Sequence, residues 1–349
     1  MGLRKIGINI KDIARIAEVS TATVSRALSS NPEVVSEELR NRIYAVCDKY
    51  QYWSNINAAR LQTKRSGQVA LLVPGYCLHQ RTEFDFIDYN LSGIIGGVEG
   101  FFSTCSIYVS LISMGDNFNK NKEYIRLYRS KMFDGFLLWG MTEADTFVHE
   151  LAEEKAPVVS IQGVSREPRM STINVDDFNA MRKLAKSVVE YGHTSIGYIP
   201  AWDSSAAGRE RNLGFFQAMK ELHLNPKIAK NSGFNIDNGL QGCIELLGEG
   251  NRDRLTCIVC ANDYVARGVI TGLDTLKLRL PDDISVTGAD GIVIPGGIPL
   301  TTYISPSYDL GFTGAQMLLD RIENPSLPPE RKILPARLFH GSSLRKLNN

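Results

Sequence analysis

The sequence predicts an α/β protein in which a small basic helical module precedes a two-part body built on parallel sheets. Three observations carry that prediction. The chain has 349 residues, 43% of them hydrophobic, which exceeds one ordinary domain. Its net charge of +1 is unevenly spread: residues 1–66 hold 11 Lys and Arg against 6 Asp and Glu, and the rest is acidic. From Gln68 onward, short apolar runs alternate with helix-like stretches, the pattern of βα units.

The basic module comes first. Asn9 is placed to cap a helix, with Asp12 at the capping-box position and Ile13, Ala14 and Ala17 as its buried stripe. Glu18-Val19-Ser20 makes a tight turn. Ser20 then caps a second helix whose inner face is Val24, Ala27 and Leu28. This is helix-turn-helix spacing. The opposite face carries Thr21, Ala22, Ser25 and Arg26: a guanidinium can fork to a guanine, and small side chains suit a thymine methyl. A plain amphipathic helix pair with a solvated polar face would show the same spacing. A third helix, capped by Ser36, turns Leu39, Ile43, Val46 and Tyr50 inward. Between Asn55 and Ser66 the chain is basic, with Arg60, Lys64 and Arg65 around Ala58 and Leu61.

The body offers strands at Val69–Val73, Ile107–Ile112, Gly135–Trp139 and Val158–Ile161, then a second series at Ser195–Ile199, Cys257–Cys260 and Ile284–Gly288. Helices Glu83–Phe102, Phe178–Tyr191 and Glu210–Leu222 cover two sheets, with a crossover near Val164–Thr172. Ligands of such folds bind at the carboxyl ends of strands.

Several classes are disfavoured. No apolar signal core and no run near the roughly 18 apolar residues of a membrane span is present, so a cytoplasmic location without a membrane partner is expected. Cys47, Cys77, Cys105, Cys243, Cys257 and Cys260 lie in apolar contexts and read as reduced core residues; Cys257 and Cys260 sit in a strand-like run that points them to opposite faces. Gly93, Gly96, Gly97 and Gly100 fall inside a helix-like segment and read as close-packing positions, not a phosphate loop. The histidines lack metal-ligand spacing and no nucleophile elbow appears. Neither enzyme activity nor a metal or other cofactor is expected.

The module resembles the headpiece of the LacI/GalR (lactose-repressor) family in Ile10-Lys11-Asp12-Ile13-Ala14, Val19-Ser20 and Thr23-Val24-Ser25-Arg26, with Glu18 where that family usually has glycine. The following segment is similar to the family's hinge helix in Asn55, Ala58 and Leu61. The body resembles the family's periplasmic-binding-protein-like (type I) effector domain in Asp134-Gly135, Asn174-Val-Asp176, Gly192-His193, Ala261-Asn262-Asp263, Gly288-x-Asp290 and Leu300-Thr-Thr302. The resemblance implies a headpiece over 1–54, a hinge over 55–66, one effector subdomain over 67–164 with about 303–324, and a second over 165–300 with about 326–346. It implies a homodimeric repressor of transcription on double-stranded operator DNA, controlled by a small sugar-like effector.

By the same resemblance, Thr21, Ala22, Ser25, Arg26, Asn55, Ala58 and Leu61 meet DNA, with Leu61 as a wedge between base steps. Arg211, Asn262 and Asp290 meet the effector, joined by the aromatics Phe234, Trp202 and Trp139. Their chemistry is apt, since a guanidinium fork, an amide and a carboxylate can satisfy adjacent hydroxyls. The competing reading makes Arg211 a salt bridge and Asp290 a turn-forming carboxylate. A rival function, solute binding without a DNA role, would share the body and lack the first 66 residues.

Overall fold

The computed structural model of the chain describes residues 8–28, 35–53, 65–75, 88–142, 144–163, 167–248, 255–292 and 297–347. It divides into two compact units, residues 1–67 with 131–133, and residues 68–130 with 134–349.

In the first unit, α1 (Ile10–Ile16), α2 (Thr21–Ala27) and α3 (Glu37–Lys49) enclose Ile13, Ala14, Ala17, Val24, Ala27, Ile43 and Cys47. The expected caps form. The Asn9 side chain accepts from the Lys11 and Asp12 amides while Asp12 accepts from the Asn9 amide, and Ser20 accepts from the Thr23 amide at 3.1 Å. Glu18 takes the left-handed conformation, φ 53°, that the turn demands. A non-glycine residue pays about 1 kcal/mol for it. Tyr50 departs from its expected inward position: it is 39% exposed beneath the Lys49 ammonium, and Cys47 fills the inner face instead.

The second unit holds two parallel sheets. The first has six strands in the order β11-β5-β4-β3-β1-β2: β1 (Gln68–Pro74), β2 (Tyr108–Met114), β3 (Gly135–Trp139), β4 (Val158–Ile161), β5 (Ser171–Val175) and β11 (Arg331–Leu334). Its interior strands are buried on both faces, as continuous apolar runs require in a parallel sheet. Leu71 opposes Leu111, and Ile161 opposes Ile173. The second sheet orders β7 (Lys227–Ile228), β6 (Ile196–Ile199), β8 (Cys257–Cys260) and β9 (Ser285–Thr287). A short antiparallel ribbon, β10 (Thr302–Ile304) with β12 (Arg337–Phe339), adjoins it.

The crossover lies later than the sequence suggests. β5 pairs with β4 and β11 pairs with β5, so residues 171–175 and 331–334 belong to the first sheet, not the second. The physical reason is edge pairing: β5 continues the first sheet beyond β4, and the returning C-terminal segment closes its exposed edge.

Helices cover both sheets. Tyr89–Phe102 and Ser307–Glu323 lie together on the first, and glycine permits their contact: a Cβ on Gly97 would stand 2.0 Å from the Tyr308 carbonyl oxygen. Gly93, Gly97 and Gly100 are therefore packing positions; Gly96, expected to be one, is not, because it faces open space beside the Tyr308 ring. On the second sheet, Asp177–Glu190 and Ala206–Glu221 pack with Tyr198 stacked on Phe215 at 3.9 Å between ring centroids, and Ile236–Leu247 pairs with Asp263–Thr275. His193 is wholly buried; its Nδ1 meets Thr256 Oγ1 at 2.9 Å and its Nε2 donates to the Arg345 carbonyl at 2.8 Å. It pins the C-terminal segment to the second subdomain.

Candidate functional site

Two groups of residues stand apart from ordinary packing. On α2, Ser20 caps the first turn, Val24 and Ala27 face the core, and the other side of the helix is left outward. There Thr21, Ala22 and Arg26 are exposed and Ser25 is half-buried. The structure thus brings all four expected α2 residues onto one outer surface, as their spacing on a 3.6-residue period requires. Asn55, Ala58 and Leu61 lie outside the described residues.

The second group centres on Arg211, which is 2% exposed on the helix Ala206–Glu221. Its Nε donates to Asp177 Oδ1 at 2.9 Å, Nη2 to Asp290 Oδ1 at 2.6 Å, and Nη1 to the Ala261 carbonyl at 3.0 Å and Asp290 Oδ2 at 3.4 Å. Tyr303 adds a hydroxyl that donates to Asp177 Oδ1 at 2.6 Å, and the guanidinium lies 5.5 Å from its ring centroid. Both sequence readings of Arg211 meet here: it shares a site with Asp290, and it does so as a salt bridge. The fork that was to hold ligand oxygens is engaged by the protein's own carboxylate.

Asp290 is 3% exposed, with φ at 104°. Such backbone is rare outside glycine and is held only where the surroundings over-determine it. Its amide donates to the Tyr303 carbonyl and its carbonyl accepts from the Ser305 amide. Asn262 is also buried. It caps the helix Asp263–Thr275 by accepting from the Val265 amide at 2.8 Å, and its Nδ2 donates to the Phe234 carbonyl at 3.0 Å. Phe234 packs edge-on against Trp202 with centroids 5.7 Å apart, and Trp202 is 45% exposed. Trp139 stands at the end of β3 in the first subdomain, its Nε1 donating to Gln162 Oε1 at 3.2 Å. The structure therefore joins Arg211 to Asp290 and Phe234 to both Asn262 and Trp202, while Trp139 is engaged separately.

Sequence reasoning missed three carboxylates that belong to this group. Asp177 holds the Arg211 Nε, and burial pushes its carboxyl up against the pull of Arg211 and Tyr303. Asp263 is 1% exposed; burial and the Asp290 charge push it up to about 8, and its Oδ1 has no hydrogen-bond partner. Asp88 caps the helix Tyr89–Phe102, accepting from the Leu91 amide, and is raised by burial and by Asp290. Asp263 is itself the last residue of the quoted Ala261-Asn262-Asp263 and Asp177 directly follows Asn174-Val-Asp176, which was the available signal. Two cavities adjoin the group: one of about 340 Å³ beside Tyr89, Ser305 and Ser307, and one of about 330 Å³ beside Gln162, Asn174 and Asp177.

Among the described residues no cluster of His, Cys, Asp and Glu is arranged to hold a metal ion, and no helix is long and apolar enough to cross a membrane. The described cysteines are free, and burial raises the Cys243 thiol to about 12.

A helix-turn-helix module with an outward polar recognition face, joined to two parallel α/β subdomains, defines a DNA-binding regulator with a ligand-binding body. Residues 9–55 match the bacterial regulatory proteins, lacI family, and residues 185–344 match the periplasmic binding protein-like domain. The chain thus carries a lacI-family regulatory segment followed by a periplasmic binding protein-like domain, and the similar curated proteins are named as transcription regulators. It is 27% identical to the HTH-type transcriptional repressor CytR of Escherichia coli (strain K12), over 97% of this chain and 96% of that one. Two solved structures share its fold. The lac repressor dimer bound to operator and the anti-inducer ONPF has a TM-score of 0.78 at 22% identity, covering 97% of this chain and 99% of that chain. The CelR–cellobiose complex has a TM-score of 0.70 at 23% identity, covering 96% and 99%.

Proposed function

We propose that this protein is a cytoplasmic, homodimeric repressor that reads double-stranded operator DNA with Thr21, Ala22, Ser25 and Arg26, and whose grip is set by a sugar-like effector bound between its two α/β subdomains. The observation that carries the reading is the outward face of α2, capped by Ser20 and lying inside the matched lacI-family segment. The basic balance of residues 1–66 supports it, because neutralising phosphates supplies most sequence-independent affinity. By the family resemblance, Asn55, Ala58 and Leu61 complete the DNA contact as the hinge over 55–66. The first effector subdomain spans about 67–175 with 303–334, and the second about 177–300 with 337–346, following the sheets.

Effector binding at Arg211, Asn262, Asp290, Phe234 and Trp202 is supported by the contacts that link them and by the strained backbone at Asp290, with Trp139 of the first subdomain joining them by the family resemblance alone. In this arrangement an effector hydroxyl exchanges for part of the Arg211–Asp290 contact, which lets binding alter how the subdomains meet. The dimeric lac repressor and the cellobiose-bound CelR share the fold, which supports the dimer and the sugar-like effector. The test is selection of double-stranded DNA from a random pool by the full-length chain, followed by salt-dependent binding. The reading requires enrichment of a two-fold symmetric site; retention of random sequence alone contradicts it.

A further inference from the structure

Resting on that reading, we propose that Trp53 is a further DNA-contacting residue: its indole lies against the sugar–phosphate backbone of the operator where the headpiece passes into the basic segment 55–66. The side chain is 86% exposed, more than any other large hydrophobic side chain among the described residues. The three-helix module has a closed core of its own, and Trp53 takes no part in it, whereas its neighbour Tyr52 packs against that core. The backbone before Trp53 is fixed. α3 ends at its cap Tyr50, and Gln51 then turns left-handed at φ 53°. The Gln51 amide donates to the Asp48 carbonyl at 3.1 Å and the Tyr52 amide to the Cys47 carbonyl at 2.8 Å. These two bonds make a Schellman stop, with glutamine where glycine is usual, and Tyr52 beside the buried Cys47 supplies its apolar contact. The chain thus leaves the helix in one defined direction, with Tyr52 held inward and Trp53 left outside.

Charge identifies the partner. From Lys49 to Arg65 the chain carries Lys49, Arg60, Lys64 and Arg65 and neither Asp nor Glu. A second copy of this stretch would bring like charge to it, whereas a phosphate backbone brings the opposite charge. An indole suits that partner, because its apolar face covers a deoxyribose while its Nε1–H, a donor only, serves a phosphate oxygen. Position agrees. Trp53 stands near the end of the matched segment 9–55, in the same compact unit as the outward face of α2. Backbone contacts set a protein's register on the duplex and carry no sequence information, which separates the role of Trp53 from that of Arg26.

Full-length parent, Trp53→Phe and Trp53→Ser are compared on the selected operator and on a random duplex of equal length, after thermal unfolding has confirmed that the three are equally folded. Trp53→Ser is expected to bind both duplexes about tenfold more weakly, the worth of one hydrogen bond to a charged group. Trp53→Phe, which keeps a ring and loses the donor, is expected to fall between. Acrylamide quenching of tryptophan emission reports the contact itself, and subtracting the Trp53→Phe signal removes Trp139 and Trp202, the other two tryptophans. The Trp53 emission is expected to be freely quenched without DNA and protected severalfold on either duplex. An indole already shielded without DNA overturns the inference in favour of a protein contact within the dimer. An indole still freely quenched on DNA, or Trp53→Ser binding as the parent does, overturns it as well. A loss confined to the operator makes Trp53 a base-reading residue and overturns the backbone assignment. A parent that fails to bind its selected operator overturns the regulatory reading and the inference with it, whereas these Trp53 failures with operator binding intact overturn the inference alone.

Discussion

Arg211 Nη2 stands 2.6 Å from Asp290 Oδ1, and both residues are almost wholly buried, so the centre of the ligand-binding body is an ion pair between two subdomain elements 79 residues apart. Removing one partner of such a pair leaves the other charge uncompensated, at a cost of roughly 3–5 kcal/mol. Arg211→Ala is accordingly expected to lower stability by that order, measured by urea unfolding, with Asp177 and Asp290 both left without a counter-charge and Asp177 keeping only the Tyr303 hydroxyl. Asp290→Asn should cost less than Asp290→Leu, because asparagine tolerates a φ of 104° and leucine does not. Equal losses for these two variants would show that the backbone strain is unimportant.

The glycine contact between Tyr89–Phe102 and Ser307–Glu323 yields a paired prediction. A methyl on Gly97 meets backbone atoms of Tyr308 and Phe312, whereas one on Gly96 meets nothing closer than a Tyr308 ring carbon at 3.8 Å. Gly97→Ala is expected to destabilise by about 1–3 kcal/mol through overpacking. Gly96→Ala should be neutral or stabilising by up to about 1 kcal/mol, the helix preference for alanine. Thermal unfolding of both variants distinguishes them, and similar shifts would contradict this packing.

Asp263 gives a pH dependence of defined sign. Its carboxyl is held near 8 in the folded protein and titrates near 4 once unfolded, so the folded state carries an extra proton between those values. Stability attributable to this group is full below about pH 4 and is lost as pH rises through 8, with a slope of up to about 1.4 kcal/mol per pH unit. Asp263→Asn keeps a neutral group there, so its stability relative to the parent should grow between pH 5 and pH 8. A difference independent of pH would show that Asp263 is ionised in the folded state.

On DNA, Arg26→Ala should weaken the selected operator by about 1–3 kcal/mol, the worth of a bidentate base contact, and relax discrimination at one position per half-site. Equal losses on operator and random sequence would make Arg26 a phosphate contact only.

Much of this was legible in the sequence. Caps at Asn9, Ser20 and Ser36 are short-range, dictated by residues within one turn, and so is the left-handed Glu18. The strand cores were legible as continuous apolar runs. What was illegible depends on distant partners. Nothing local tells that β11 returns to pair with β5, or that Tyr50 yields its inner place to Cys47. The pairing of Arg211 with Asp290 likewise spans the fold, and the residue chemistry that suggested a ligand contact suited an internal salt bridge equally well. Asp88 went unnoticed because a helix-capping aspartate reads as structural.

Linked titrations test the central claim most directly, that effector binding in the body is coupled to DNA binding by the headpiece. Operator affinity is measured with and without a sugar that the full-length chain binds in calorimetric titration, and the affinity for that sugar with and without operator. Coupling between two sites is reciprocal, so the two ratios must agree, and a factor of about 5–150 is the usual range. The account predicts equal ratios clearly different from one. An operator affinity that the bound effector leaves unchanged would contradict it.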